Sequence, residues 1–415
     1  MKSLRILLAS LLVVAMVLPL CSCSSGLSSL ESLSEADKDK KTEETETTEP
    51  SLKKHNLYQN SSMIKLLNER TVFTDAGELA VDWGGSGFEF EVEIAEGGSD
   101  LSIETRSNYS TDWKVFFDGK VLVERFTISS GKKNTTVATE LPEGRHILRF
   151  VRESQVTTSG TGYFSVLSVS INATLLPAAN EKEMYIEFVG DGLLTGYGVT
   201  GSGKGSSKID EETCATLSLP YLTSKYLDAD YSVVARYGIG LGTKAGTLTL
   251  PDLYDGQLGY RERETLVYTP TRTPDAVVIH VGMDDSYSAL SVGEFCTRAK
   301  LFVEQIRSYY GKDVPVVWIY GARLVAYREG EYLALVQMFG EDSNVSVFKM
   351  NYGVSGSSGN ASVDPYPNVE ETTENAILVA DYLSRLINNK PILDELRAQV
   401  EAEKKAEQEL LEEFE

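Results

Sequence analysis

The sequence predicts two domains: an antiparallel β-sandwich of jelly-roll type, then an α/β domain with a doubly wound parallel sheet. Three observations predict this. Between residues 64 and 176, short runs alternating apolar and polar residues recur between turn signals, with no helical period. From residue 183 to 390, strand-like runs alternate with helical ones. The chain has 415 residues, of which 42% are hydrophobic, enough for two cores plus tails.

Residues 1–23 read as a leader. Lys2 and Arg5 precede the apolar run Ile6 to Leu20, which is too short to span a bilayer comfortably. Leu20-Cys21-Ser22-Cys23 resembles a bacterial lipobox with Cys23 as the lipidated residue; the alternative is a plain secretory signal. The expectation is export and lipid anchoring at the cell surface or envelope, with the membrane met through the anchor only. Residues 24–63 are rich in Ser, Thr, Glu and Lys and read as a disordered tether.

In the sandwich, Phe88, Phe90, Val92 and Ile94 alternate with Glu89, Glu91 and Glu93, a strand with one wet face. Trp113 to Phe117 leads into Asp118-Gly119, a hairpin dipeptide, and then Val121 to Phe126. Ile147 to Val151 and Tyr163 to Ile171 are further strands. Trp83 and Trp113 are candidate sugar contacts, or else core. Residues 177–182 link the domains. In the second domain, strands are predicted at Met184 to Val189, Tyr231 to Ala235, Ala276 to Val281, Val314 to Tyr320 and Val345 to Met350. Helices are predicted at Thr213 to Leu227, Gly293 to Tyr310 and Glu371 to Ile387. Residues 391–415 read as a charged helix that packs on the body or binds a partner.

The net charge of −22 argues against nucleic acid and anionic membrane surfaces, and leaves neutral polysaccharides open. Beyond the leader only Cys214 and Cys296 remain, too few for a disulfide framework.

Four blocks carry the chemistry. The first is Gly190-Asp191-Gly192, followed by Gly196-Tyr197-Gly198. The second runs from Tyr231 to Ala235 into Arg236-Tyr237-Gly238-Ile239-Gly240. The third ends Val281-Gly282-Met283-Asp284-Asp285, and the fourth is Asp364-Pro365-Tyr366-Pro367-Asn368. In this order, behind a sandwich, they resemble the SGNH (GDSL) hydrolases, and more narrowly carbohydrate esterase family two, the acetylxylan-esterase-like group. The resemblance implies that Gly192 stands at the nucleophilic serine, Asp284 at the oxyanion-hole asparagine and Tyr366 at the catalytic histidine. Gly238 would supply an oxyanion-hole amide, and Tyr237 replaces a usual serine. Asp364 keeps the family residue.

These substitutions oppose acyl transfer. Glycine has no hydroxyl, and a phenol titrating near ~10 is a poor base at neutral pH. An ionised Asp284 would repel a developing oxyanion. The three histidines are His55, His146 and His280, and none lies near the chain end where this fold places its base. Thr195 and Ser286 are the hydroxyls able to stand in, without an evident base partner. Asp191, Asp284, Asp285 and Asp364 would converge as a calcium site or, as favoured here, Asp191 and Asp364 serve backbone hydrogen bonds; no metal or cofactor is expected. The expectation is a family-two esterase architecture that has lost hydrolysis and binds carbohydrate, including acetylated polysaccharide. The ligand residues would be Asp191, Gly192, Tyr237, Gly238, Asp284 and Tyr366, with Tyr197, Tyr254 and Tyr260 as further stacking candidates. The alternatives are an active O-deacetylase with relocated residues, and a structural lipoprotein that binds protein.

Overall fold

The computed structural model describes residues 52–156, 163–242, 248–259, 266–282, 285, 290–322, 328–359, 361 and 365–413. Cys23, Tyr260, Asp284, Ser286 and Asp364 lie outside these residues, as do the expected leader and most of the tether.

The first domain holds β1 (Lys53–Asn56), β2 (Ile64–Leu67), β3 (Val72–Phe73), β4 (Leu79–Ala80), β5 (Gly87–Ile94), β6 (Ser99–Ser107), β7 (Thr111–Phe117), β8 (Lys120–Ile128), β9 (Gly131–Leu141), β10 (Gly144–Arg152), β11 (Ser165–Ile171) and β12 (Ala173–Leu175). Among the described residues they form two antiparallel sheets. One has the order β3-β4-β11-β6-β9, with β1 on β11; the other has the order β12-β5-β10-β7-β8, with β2 on β5. The alternating residues Phe88, Phe90, Val92 and Ile94 are all buried in the shared core, where Phe88 stacks on Phe150 at 4.9 Å. Asp118 and Gly119 both take positive φ, 50° and 78°, the backbone of a two-residue hairpin matched to strand twist.

One reading needs correction here, and one alternative is decided. The sandwich starts at Lys53, inside the segment read as tether: β1 pairs with β11, and Leu57 is fully buried. Edge pairing runs through the backbone, which a polar composition does not reveal. Trp83 and Trp113 are both fully buried, and neither reaches a surface where sugar could stack.

The second domain holds β13 (Tyr185–Gly190), β14 (Gly203–Lys204), α1 (Leu219–Tyr226), β15 (Asp230–Ala235), α2 (Leu250–Tyr254), β16 (Ala276–His280), α3 (Val292–Tyr310), β17 (Val316–Tyr320), α4 (Glu329–Phe339), β18 (Val345–Lys349), β19 (Ser357–Ser358), α5 (Val369–Asn388) and α6 (Leu393–Glu413). Five strands pair in parallel in the order β15-β13-β16-β17-β18. Val189, Val277 and Ile279 face a core with α2, α3 and α4; Ile186, Phe188 and Val278 face another with α1 and α5. The helix predicted from Thr213 begins only at Leu219. Ser218 caps it and Pro220 sits in its first turn, a residue that a helix interior excludes. Ahead of it lies a 3-10 turn, Ala215–Leu217. The first two turns of α6 dock on α5 through Leu396 and Val400, while residues 401–406 are exposed. Among the described residues no helix is long and apolar enough to cross a membrane.

The two domains share buried structure. Trp83 and Val156 of the sandwich belong to the α/β core, and the Trp83 indole donates to Gln257 O at 3.1 Å. Arg70, fully buried, donates to the carbonyls of Tyr254 and Gly256 and to Glu187 on β13.

Candidate functional site

The carboxyl ends of β13, β15 and β16 bring the first three blocks together. β13 runs into Asp191, whose carboxylate caps a 3-10 turn by accepting from Leu193 N at 3.2 Å. Gly190 is required: a Cβ there would lie 2.1 Å from His280 O on β16. Where the resemblance places a serine, the space is filled. A Cβ on Gly192 would sit 2.7 Å from Tyr366 Oη and 3.1 Å from Tyr237 Cδ2. Tyr197 and Tyr237 stack at 3.9 Å with planes 4° apart, and Tyr366 meets Tyr197 edge-on at 5.1 Å and 71°.

Burial separates the tyrosines. Tyr197 and Tyr366 are buried at 6% and 2% exposure, whereas Tyr237 keeps 36%. Tyr254, a further stacking candidate, is fully buried, its hydroxyl donating to Glu187 at 2.6 Å. Only Tyr237 of the described stacking candidates offers an open ring. Beside it, Gly238 has φ +75° and open space around its Cβ direction.

The titratable groups here are committed to the scaffold. His280 is buried, with Nδ1 2.7 Å from Asp191 Oδ1 and Nε2 3.4 Å from Gly321 O. Asp191 is thus a buried framework group rather than a surface the ligand meets. Asp285, also buried, accepts from Leu241 N at 2.9 Å and Gly242 N at 2.6 Å, although burial pushes its carboxyl above the usual range. Gly240 makes room for it, since a Cβ would lie 2.4 Å from Asp285 Oδ1.

The Thr195 hydroxyl is buried and donates to Gly192 O at 2.9 Å, so it is not poised to attack. His55 and His146 lie on β1 and β10, in the sandwich. Among the described residues no group of three His, Cys, Asp or Glu is placed to hold a metal. Cys214 and Cys296 are both free thiols. Cys214 donates to Glu153 at 3.3 Å, and burial pushes its thiol up to about 12.

Sequence reasoning found the glycine and the tyrosines one by one. It missed that three of them interlock, and it missed Gln155, whose side-chain Oε1 accepts from Tyr237 N at 2.9 Å. No local motif marks Gln155, because it reaches the site from the other domain.

Residues 69–178 match the carbohydrate esterase 2 N-terminal family. The chain is 27% identical over 253 residues to the cellulase/esterase CelE of Acetivibrio thermocellus, covering 59% of this chain and 30% of that protein. It is 30% identical over 179 residues to an acetylxylan esterase / glucomannan deacetylase of Cellvibrio japonicus, covering 41% of this chain and 48% of that protein. The chain thus spans less than half the length of both relatives. In fold it is similar to a family two carbohydrate esterase from Clostridium thermocellum solved with cellohexaose, at TM-score 0.66 and 20% identity, over 78% of this chain and 99% of that one. The chain is therefore similar to carbohydrate esterases, with residues 69–178 matching the N-terminal domain of carbohydrate esterase family two and a parallel α/β domain following it.

Proposed function

We propose that this chain is an exported, lipid-anchored carbohydrate-binding protein built on an esterase fold that has lost hydrolysis. One observation carries the reading: the space a serine side chain would need at position 192 is taken by the Tyr366 hydroxyl and the Tyr237 ring. Acyl transfer needs a nucleophile with a base in reach. Glycine supplies no nucleophile, Thr195 is tied to the backbone, and the His280 imidazole is engaged with Asp191 and Gly321.

What remains is a surface for a sugar. The exposed ring of Tyr237, backed by Tyr197, is a flat apolar face of the kind on which a pyranose stacks, beside the open ground at Gly238. Without a nucleophile the site has no chemical use for an acetyl group, so plain and acetylated glycans are both candidate ligands. That a similar structure holds cellohexaose makes β-linked glucan the first ligand to try.

The test has two arms. Incubated with acetylated xylan, the chain should release no acetate above background. In calorimetry it should bind cellohexaose or another plain hexasaccharide, and Tyr237→Ala should weaken binding about 30-fold, the ~2 kcal/mol typical of an aromatic anchor. Turnover of acetylated xylan would overturn the loss of hydrolysis. Flat titrations with plain and acetylated glucan, xylan and mannan fragments would overturn the binding role.

A further inference from the structure

The sandwich contributes to the site through a clamped segment at the end of β10. Arg152 is 1% exposed and donates to the carbonyls of Val81 (2.9 Å), Ser154 (3.0 Å) and Gln155 (2.9 Å). Three charge-assisted bonds from one rigid guanidinium hold the peptide groups on both sides of Gln155 against the Val81 carbonyl. Val156, the next residue after Gln155, is buried in the α/β core. Gln155 therefore lies between two anchored points, one in each domain.

Its side chain is used only in part. Oε1 accepts from the Tyr237 backbone N–H at 2.9 Å, and the Nε2 amide has no partner among the described residues. Gln155 is half-buried, on the rim beside the exposed Tyr237 ring. A primary amide offers two N–H donors as well as its carbonyl oxygen. Here the oxygen is spent on positioning and the donors remain available.

We propose that Gln155 has two roles at this site. Its oxygen positions Tyr237, and its Nε2 donates to a hydroxyl of a neutral sugar stacked on that ring, so that the ligand site is composite across both domains. The second role rests on the carbohydrate-binding reading; the first does not.

Two variants separate the roles. Glu at position 155 can still accept from the Tyr237 N–H but has no donor for a ligand; Ala has neither. Hydrogen exchange resolved to the Tyr237 amide, measured on the full chain without ligand, should speed up at least tenfold in Gln155→Ala and stay near the parent rate in Gln155→Glu. Titration with cellohexaose should then show Gln155→Glu weaker by about fivefold, one neutral hydrogen bond, and Gln155→Ala weaker still. An unchanged Tyr237 exchange rate in Gln155→Ala overturns the positioning role. Parent-like affinity in Gln155→Glu overturns the donor role. If the parent chain binds no saccharide, the donor role falls together with the carbohydrate reading, while exchange still decides the clamp.

Discussion

Gly192, Tyr237 and Tyr366 form one packing arrangement, so they have to be read together. Gly192 is not in the left-handed region, so its backbone would accept a side chain; only the tyrosines forbid one. Gly192→Ser alone is therefore an overpacking change, expected to cost about 1–3 kcal/mol. Adding Tyr366→His removes the phenol from that space and should recover most of the loss. Denaturant melts of the two single variants and the double would show this as strong non-additivity. If Gly192→Ser is neutral by itself, the tyrosines do not fill the serine's place. For the same reason, reinstating a serine without first clearing Tyr366 should yield no esterase, however well the other groups are restored.

At the scale of elements, strands and caps place the site while charged groups hold the strands. Glu104 on β6 is bonded by Lys54 of β1, Lys132 of β9 and Ser168 of β11, tying four strands of one sheet. Those partners, the Lys54 hydrogen bond first, lower its carboxyl from 4.5 to about 2. A carboxyl depressed by folding stabilises the fold above its unfolded value, and loses that contribution as pH falls through its folded value. The stability gap between the parent and Glu104→Gln should therefore be full above about pH 5 and close as pH falls toward about 2. Urea melts across that range would check it, and a gap independent of pH would mean that the ion pairs are not what Glu104 contributes. The fourth block shows the same economy. Asn368, two residues after Tyr366, caps α5 in a reciprocal box with Glu371, and Glu371 also accepts from Val354 N and Ser355 N beside the Tyr366 segment.

At the scale of the molecule, the sandwich and the α/β domain are locked by a buried polar cluster. Arg70 pairs with Glu187 on the interior strand β13, and its guanidinium lies 3.3 Å from the Tyr268 ring centre. Removing one member of such a pair leaves a buried charge uncompensated, typically about 3–5 kcal/mol. Arg70→Ala should therefore destabilise both domains together, seen as one thermal transition moved down. Arg70→Met with Glu187→Met should recover part of the loss, because the apolar pair leaves no orphan charge. Two separate transitions in Arg70→Ala would show that the domains unfold independently and that the cluster is not their lock.

Much of this was legible in the chain itself. Period-two alternation in β5 and the Asp118-Gly119 turn follow from local physics, because side-chain direction and permitted φ are set within a few residues. The missing hydroxyl at Gly192 is likewise a property of one residue. What only the tertiary structure decided involves partners far apart in sequence. Lys53–Asn56 becomes a strand because β11 offers it an open edge. Trp83 is core because the α/β domain covers it. Tyr237 is the open ring and Tyr366 the plug because β15 and the segment before α5 converge on Gly192. Gln155 reaches Tyr237 across 82 residues of chain. Contacts of that separation leave no period and no motif, since their energy depends on packing that exists only once both domains have folded.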